Sequence, residues 1–326
     1  MYSRRAGRRI RSALGRPAAG RSVRTWTTAP EPDLRPNVAV ADLDVSVVIP
    51  AYNAADTISE QLAALTAESY ADTWEILVSD NGSTDATAQI VNEWAERCSR
   101  IRLIDGSNGR GASVARNAGA RAARGGKLLF CDSDDIIARG WIDAMASSLE
   151  THSFVCGPFE LERLNPSWLV EAKGTTGTDG VVFDDLFPFA SSCNLGVSRE
   201  LFLAQGGFDE RILVWEDVEF SMRLFLDEVE LHYVPQAAVH YRYRQTRREF
   251  FDRARAYGRC RPQIAERLRA YAGTQPARWH GWRNWAWLVR HVDLLRSHTG
   301  QARWLWTAGL RIGALEGSWL VRRLYL

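Results

Sequence analysis

The sequence predicts an α/β protein built on a parallel sheet with right-handed crossovers, and three observations predict it. Short β-branched and aliphatic runs alternate with amphipathic stretches about four times between residues 44 and 131. The strand-like runs are apolar at successive positions, as strands covered on both faces are. The polar residues that carry chemistry follow directly after those runs, where such sheets place their ligands.

The elements follow in order. Asp44-Val-Ser-Val-Val-Ile-Pro50 reads as a buried strand closed by proline. From Asp56 to about Ala67, Ile58, Leu62 and Leu65 recur at helical spacing, with Asp56 positioned to cap and Glu60 in the first turn. Glu75–Ser79 is a second strand, and Ser83-Thr84-Asp85 opens a helix through Ile90, Val91 and Trp94. Ile101–Ile104 is a third strand, Ser113–Ala123 a helix of small residues, and Lys127–Cys131 a fourth strand.

Composition narrows the class. The 326 residues are 46% hydrophobic and 25% charged, with 25 Gly and 11 Pro, which excludes disordered, collagenous and disulfide-scaffold chains. No run of about 18 uncharged apolar residues predicts a membrane span. Cys98, Cys131, Cys156, Cys193 and Cys260 are scattered and never form C-x-x-C, so the expected compartment is the reducing cytoplasm. The net charge of +2 hides a polarised chain: residues 1–30 hold 8 Arg and no acid, and residues 240–326 hold 18 Arg against 5 acids. The acidic centre is a poor nucleic-acid surface, so no nucleic-acid partner is expected. Basic flanks suit an anionic membrane surface; a general preference for Arg, with Lys127 and Lys173 the only lysines, is the alternative source. Residues 1–42 lack the apolar stretch of a signal peptide and read as a basic disordered arm.

Pro50-Ala-Tyr-Asn53, Asp80-Asn-Gly-Ser-Thr-Asp85 and Asp132-Ser-Asp-Asp135 follow the first, second and fourth strands and converge on one crevice. An aromatic, a carboxylate–amide pair and an aspartate cluster suit a polar ligand carrying a ring and a diphosphate. Asp132, Asp134 and Asp135 repel one another unless a cation sits among them, and a hard divalent ion such as Mg²⁺ or Mn²⁺ meets that need. The alternative is that Asp132 or Asp135 caps a helix beginning near Ile136.

From Val45 to about Arg244 the chain resembles glycosyltransferase family 2 with the GT-A fold. The resemblance rests on V-V-I-P-A-Y-N at 47–53, S-D-N-G-S-T-D-A-T at 79–87, G-A-S-V-A-R-N-A-G at 111–119, F-C-D-S-D-D at 130–135, and G-G-F-D-E with W-E-D-V-E-F within 206–220. It implies a Rossmann-like, mostly parallel sheet flanked by helices over 43–245, followed by an Arg- and Trp-rich helical extension over 246–326. It also implies inverting transfer of a sugar from a nucleotide sugar to a hydroxyl of a glycan or lipid-linked acceptor, as in cell-envelope polysaccharide synthesis. Pro50, Tyr52 and Asn53 match the first loop of the nucleotide site, with Tyr52 able to stack on a base. Asp80 and Asn81 match the pair near base and ribose, the second of which is commonly Asp; the amide carbonyl of Asn81 can still accept a pyrimidine N–H. Arg116 and Asn117 fall in the R-N block, Arg116 either near the diphosphate or on the helix surface. Asp132 and Asp134 match the D-x-D, with Asp134 the better metal ligand.

In the E-D pair, Asp217 resembles the general base that deprotonates the acceptor, with Glu216 in reserve. Trp215 offers a face to a sugar ring. Glu216, Asp217 and Glu219 do not share one helical face, so part of the run reads as solvated surface, while Val218, Met222, Phe225 and Leu226 form the buried stripe. His240 is a metal or diphosphate ligand, as in some related enzymes, or a structural residue. Gln245-Thr-Arg-Arg248 echoes a processive-synthase motif but has Glu249 in place of Trp, so processivity is not inferred.

Beyond Phe250 the periodicity is helical rather than catalytic. Leu305, Ala308, Ile312, Leu315 and Trp319 form the expected apolar stripe, and the many tryptophans fit an interfacial membrane segment, a packing face or a dimer contact. Gly174–Asp179 reads as a mobile lid. Two other functions stay open: a silent nucleotide-sugar binder, and a nucleotidyltransferase, which would want a glycine- and lysine-bearing loop where Pro50–Asn53 stands. The expected location is cytoplasmic, with association with the inner face of the membrane as the option that the basic flanks allow.

Overall fold

The computed structural model describes residues 42–173, 181–183, 187–244, 246–272 and 281–323. The expected arm at 1–41 and the expected lid at 174–179 lie outside the described residues.

In chain order the elements are β1 (Leu43–Ala51), α1 (Ile58–Thr66), β2 (Trp74–Asp80), α2 (Thr87–Arg97), β3 (Ile101–Asp105), α3 (Ala112–Ala122), β4 (Gly125–Cys131), β5 (Ile136–Ile137) and α4 (Trp141–Leu149). They continue with β6 (Phe154–Cys156), β7 (Phe159–Glu160), α5 (Ser167–Lys173), β8 (Val181–Phe183), β9 (Phe187–Phe189), β10 (Asn194–Ser198), α6 (Arg199–Ala204) and α7 (Glu216–Leu226). The last are β11 (His232–Tyr233), β12 (Val239–His240), α8 (Arg247–Ala272), α9 (Gly281–Arg290), a 3₁₀ turn over Val292–Arg296 and α10 (His298–Leu320).

The main sheet has seven strands in the order β11-β6-β10-β4-β1-β2-β3. All pairs are parallel except those of β10, which runs against both β4 and β6. Both faces are covered, which explains the unbroken apolar runs. Val45, Val47 and Ile49 pack with Leu62, Leu65 and Val91 on one side. Val48 and Leu77 pack with Phe130, Phe202, Phe208 and Phe220 on the other. Leu62 is fully buried there, so Leu62→Ala would cost about 2–5 kcal/mol.

Three local expectations change. Helix α1 begins at Ile58 with Thr57 at its cap position and no side-chain cap bond, so Asp56 does not cap it. No helix starts at Ile136: Ile136 and Ile137 are β-branched, pair with β12 and are followed by Gly140 at φ 80°, so the next helix waits until Trp141. On α10, Leu315 and Trp319 are exposed, at 39% and 80%, while Gly309, Gly313 and Gly317 form the packed face. A Cβ on Gly313 would lie 1.9 Å from the Arg255 carbonyl oxygen, so α8 and α10 meet backbone to backbone where only hydrogen fits. Helix α8 is bound to the sheet domain as well, Ile264 and Leu268 sharing a core with Val218, Met222 and Phe225. Among the described residues no helix is long and apolar enough to cross a membrane.

Candidate active site

A cleft of about 1150 Å³ opens at the carboxyl ends of β1, β2 and β4. Its first wall is the loop after β1. Asn53 adopts φ 50°, and its side chain accepts the Thr84 N–H (2.8 Å) while its own N–H reaches Ser83 Oγ (2.9 Å). Asp85 accepts from Ala55 N–H (3.1 Å) and Thr87 N–H (3.0 Å), locking the loops after β1 and β2 together. Tyr52, 61% exposed, stands at the rim of the cleft.

Two residues of this wall serve the backbone. Asp80 accepts from Ser83 N–H (3.1 Å), closing its own turn, and does not line the cleft. Asn81 lines the cleft, but its amide donates to the Gly106 and Gly109 carbonyls (2.6 and 2.9 Å) and its carbonyl accepts the Gly111 N–H (2.8 Å). The glycine-rich loop before α3 needs those partners, so the Asn81 carbonyl expected to read a base is already engaged.

The acidic turn after β4 is bracketed by the small sheet β5-β12-β7. Pairing of His240 with Ile136 brings the chain that follows β12 onto the aspartates. Arg242 donates its N–H to Asp135 Oδ1 (2.8 Å) and its Nε to the Asp134 carbonyl (2.8 Å), and Arg244 Nη1 lies 3.1 Å from Asp134 Oδ2. Asp135 is buried, and its Oδ2 has no hydrogen-bond partner among the described residues. Ligand atoms of Asp132, Asp135 and Cys193 lie within 4.8 Å of one another. Burial, reinforced by repulsion from Asp132, raises the Asp134 carboxyl above its usual range; burial with repulsion from Asp134 and Asp132 raises Asp135 further. An orphaned buried oxygen among mutually repelling carboxylates fits a divalent cation.

Arg116 joins this turn to the E-D pair. It is 3% exposed, which excludes the helix-surface reading, and donates from Nη2 to Asp132 (2.5 Å) and from Nη1 to Glu216 (2.6 Å). Trp215 precedes α7 at φ 69°, turning the chain so that Glu216 and Asp217 open the helix at its positive end. Glu216 is buried and pushed up to about 7 by burial and then by Asp217, with Arg116 opposing. Asp217 is half-buried, lines the cleft and accepts the Ser192 N–H (2.9 Å); burial raises its pKa, with that N–H and Arg116 opposing. Part of this acidic run was expected on a solvated surface, but none of the three is exposed: Glu219 is 2% exposed and paired with Arg223 and Arg267.

The cleft therefore gathers Pro50, Tyr52, Asn53, Asn81, Arg116, Asp132, Asp134, Trp215, Glu216 and Asp217. It does not gather Asp80 or His240, and His240 Nδ1 is paired with Glu160. Trp215 stacks on Tyr257 with ring centres 5.5 Å apart. Tyr257 and Arg253 belong to α8 and line the cleft, although the chain beyond Phe250 was read as a membrane, packing or dimer segment with no residue in the site. Their spacing of four in a helix is their sole sequence signal, and surface residues share it. Tyr241, Arg242, Tyr243 and Arg244 also line the cleft and were not singled out; the alternation of aromatic and arginine after a strand-like run is the signal that could have found them.

The family profile described as glycosyl transferase family 2 matches residues 46–204. Among curated relatives, the UDP-Glc:alpha-D-GlcNAc-diphosphoundecaprenol beta-1,3-glucosyltransferase WfgD of Escherichia coli is 36% identical over 122 residues, covering 37% of this chain and 47% of that protein. The putative teichuronic acid biosynthesis glycosyltransferase TuaG of Bacillus subtilis is 36% identical over 91 residues, covering 28% of this chain and 36% of that protein. The matches thus span less than half the length of these relatives. Among solved structures, the mannosyltransferase PcManGT from Pyrobaculum calidifontis, in complex with GDP-Man and Mn²⁺, superposes with a TM-score of 0.58 at 20% identity over 85% of this chain and 87% of that one. At that identity the likeness is one of fold, the GT-A fold. With four motif blocks in order along the sheet and the profile match across them, residues 46–204 of the chain form a glycosyl transferase family 2 segment.

Proposed function

We propose that this chain is an inverting, divalent-metal-dependent glycosyltransferase that moves a sugar from a nucleotide sugar to a hydroxyl of a glycan or lipid-linked acceptor. The observation that carries it is one cleft holding the acidic turn on one side and Asp217 on the other, joined through Arg116. The donor's base stacks on Tyr52 at the rim, and its diphosphate lies toward Asp132 and Asp134. Asp132, Asp134 and Asp135 would hold Mg²⁺ or Mn²⁺, which would neutralise the departing nucleoside diphosphate.

Asp217 is the general base. Glu216 is tied to Arg116, whereas Asp217 faces the cleft with a raised pKa, which makes it a stronger base than an ordinary aspartate. Displacement at the anomeric carbon builds positive charge on the sugar, and a carboxylate opposite the leaving group activates the attacking hydroxyl. Trp215, stacked on Tyr257, forms an apolar wall for a sugar ring.

The lipid-linked acceptor named for the Escherichia coli relative supports the same acceptor class here. Peripheral contact with the inner face of an anionic membrane belongs to the reading: Val289, Val292, Trp319 and Leu320 are exposed beside the exposed Arg290, Arg296 and Arg322. Trp319→Glu in the full chain should weaken sedimentation with anionic liposomes; unchanged sedimentation would remove this contact.

Thermal stabilisation by nucleoside diphosphates and nucleotide sugars, with Mn²⁺ and with EDTA, tests the donor site. A metal-dependent shift with one base is the expected result. No shift with any of them would contradict the reading.

A further inference from the structure

The cleft is lined by several arginines, and their partners differ. Arg116 is paired with Asp132 and Glu216, Arg242 with Glu60, and Arg244 with Asp134. Arg110 is exposed. Arg253, from α8, is partly buried, yet among the described residues no ion pair joins it to a carboxylate. Its Nε donates to the Tyr257 hydroxyl (3.0 Å), and its guanidinium carbon lies 5.1 Å from the centre of the Tyr257 ring. Tyr257 is itself fixed, stacked on Trp215 and edge-on to Trp306 of α10 (5.8 Å).

A guanidinium withdrawn from water without a counter-charge is costly, and a rigid aromatic mount for it implies an anion that arrives with a ligand. Because Tyr257 engages Nε, the Nη groups keep their donors for that ligand, and a planar fork matches phosphate oxygens two at a time. Arg253 lines the same cleft as Asp132 and Asp134, where the proposed donor lays its diphosphate.

We infer that Arg253 is a phosphate-binding residue of the cleft, contributed by the C-terminal helices and held in aim by Tyr257. This rests on the proposed transferase reading. Its ligand is a phosphate group, either of the donor's diphosphate or of a phosphate-linked acceptor. The helices beyond the family match thus complete the site rather than only pack against it.

The test uses the full chain as wild type, Arg253→Gln, Arg253→Lys and Tyr257→Phe, with melting temperatures as a check on folding. Calorimetric titration with UDP, GDP, the uncharged nucleosides and inorganic pyrophosphate gives the affinities. If the phosphate is the donor's, Arg253→Gln weakens diphosphate and pyrophosphate binding about 10- to 100-fold and leaves nucleoside binding unchanged. Arg253→Lys, which keeps charge but not the fork, and Tyr257→Phe, which keeps the guanidinium but loosens it, fall between. If the phosphate is the acceptor's, diphosphate affinity is unchanged and KM rises for a phosphate-linked acceptor but not for the same sugar as a neutral glycoside. Unchanged diphosphate affinity together with unchanged KM for both acceptors overturns the role of Arg253 while leaving the transferase reading intact. A wild-type chain that binds none of the diphosphates overturns both. If Arg253→Gln does not fold, Arg253→Lys and Tyr257→Phe decide: full diphosphate affinity and wild-type KM in both overturns the inference.

Discussion

Arg116→Gln removes the cation that joins the acidic turn to the E-D pair. In the folded protein its guanidinium lies 2.5 Å from Asp132 and 2.6 Å from Glu216, with only 4% of the arginine side chain exposed. Breaking a buried ion pair costs about 3–5 kcal/mol because the remaining charge is stranded. The Glu216 side chain is 7% exposed but that of Asp132 is 24%, so water screens part of the loss and about 3 kcal/mol is the expected penalty. For a domain of this size that lowers Tm by about 6–12 °C. The penalty also depends on pH. Glu216 already titrates near 7 when folded against 4.5 ordinarily, so its contribution is fully favourable below 4.5 and is lost as pH rises through about 7. Without Arg116 the folded pKa climbs further, so the gap between variant and wild type widens with pH. Calorimetric scans at about pH 5 and about pH 8 should show a reduced gap at the first, where the Asp132 pair alone is lost, and the full gap at the second. Arg116→Gln with Glu216→Gln should lose less than the sum of the single losses. A gap that is the same at both pH values, with additive losses, would refute the strut role of Arg116.

Two further predictions concern chemistry and packing. Arg116→Gln also removes the cation that holds the Asp217 carboxyl down, so the Asp217 pKa rises further and the acid limb of kcat/KM moves to higher pH; a limb that stays or moves down would remove Asp217 as the titrating base. Gly313→Val forces α8 and α10 apart, since even a Cβ would lie 1.9 Å from the Arg255 carbonyl oxygen. The expected loss is about 3 kcal/mol by denaturant unfolding, and an unchanged midpoint would mean the two backbones do not meet there.

How much of this was legible depended on whether a residue's role was local. The parallel strands and the loops after β1, β2 and β4 were readable, because apolar runs and the residues that end them are consecutive in sequence. The structural role of Asn81 was not legible for the opposite reason: its partners Gly106, Gly109 and Gly111 lie on another loop, and nothing near Asn81 signals them. The packed face of α10 was not legible because periodic Leu and Trp outrank glycine in any hydropathy reading, yet close approach of two helix backbones selects the glycines. Part of the acidic run read as solvated because its partners are scattered: Glu219 meets Arg223 of its own helix and Arg267 of α8, and Glu216 meets Arg116 of α3. Arg253 and Tyr257 gave no warning, since a polar pair four apart in a helix looks the same whether it faces solvent or a cleft.

The central claim is that Asp217 activates the acceptor in a cleft that binds the donor independently of it. Asp217→Asn keeps the shape and the contact with Ser192 N–H while removing the base. Measured side by side, sugar transfer should fall by about 10²- to 10⁴-fold while affinity for the nucleoside diphosphate is unchanged. Transfer at the wild-type rate by Asp217→Asn would contradict the account.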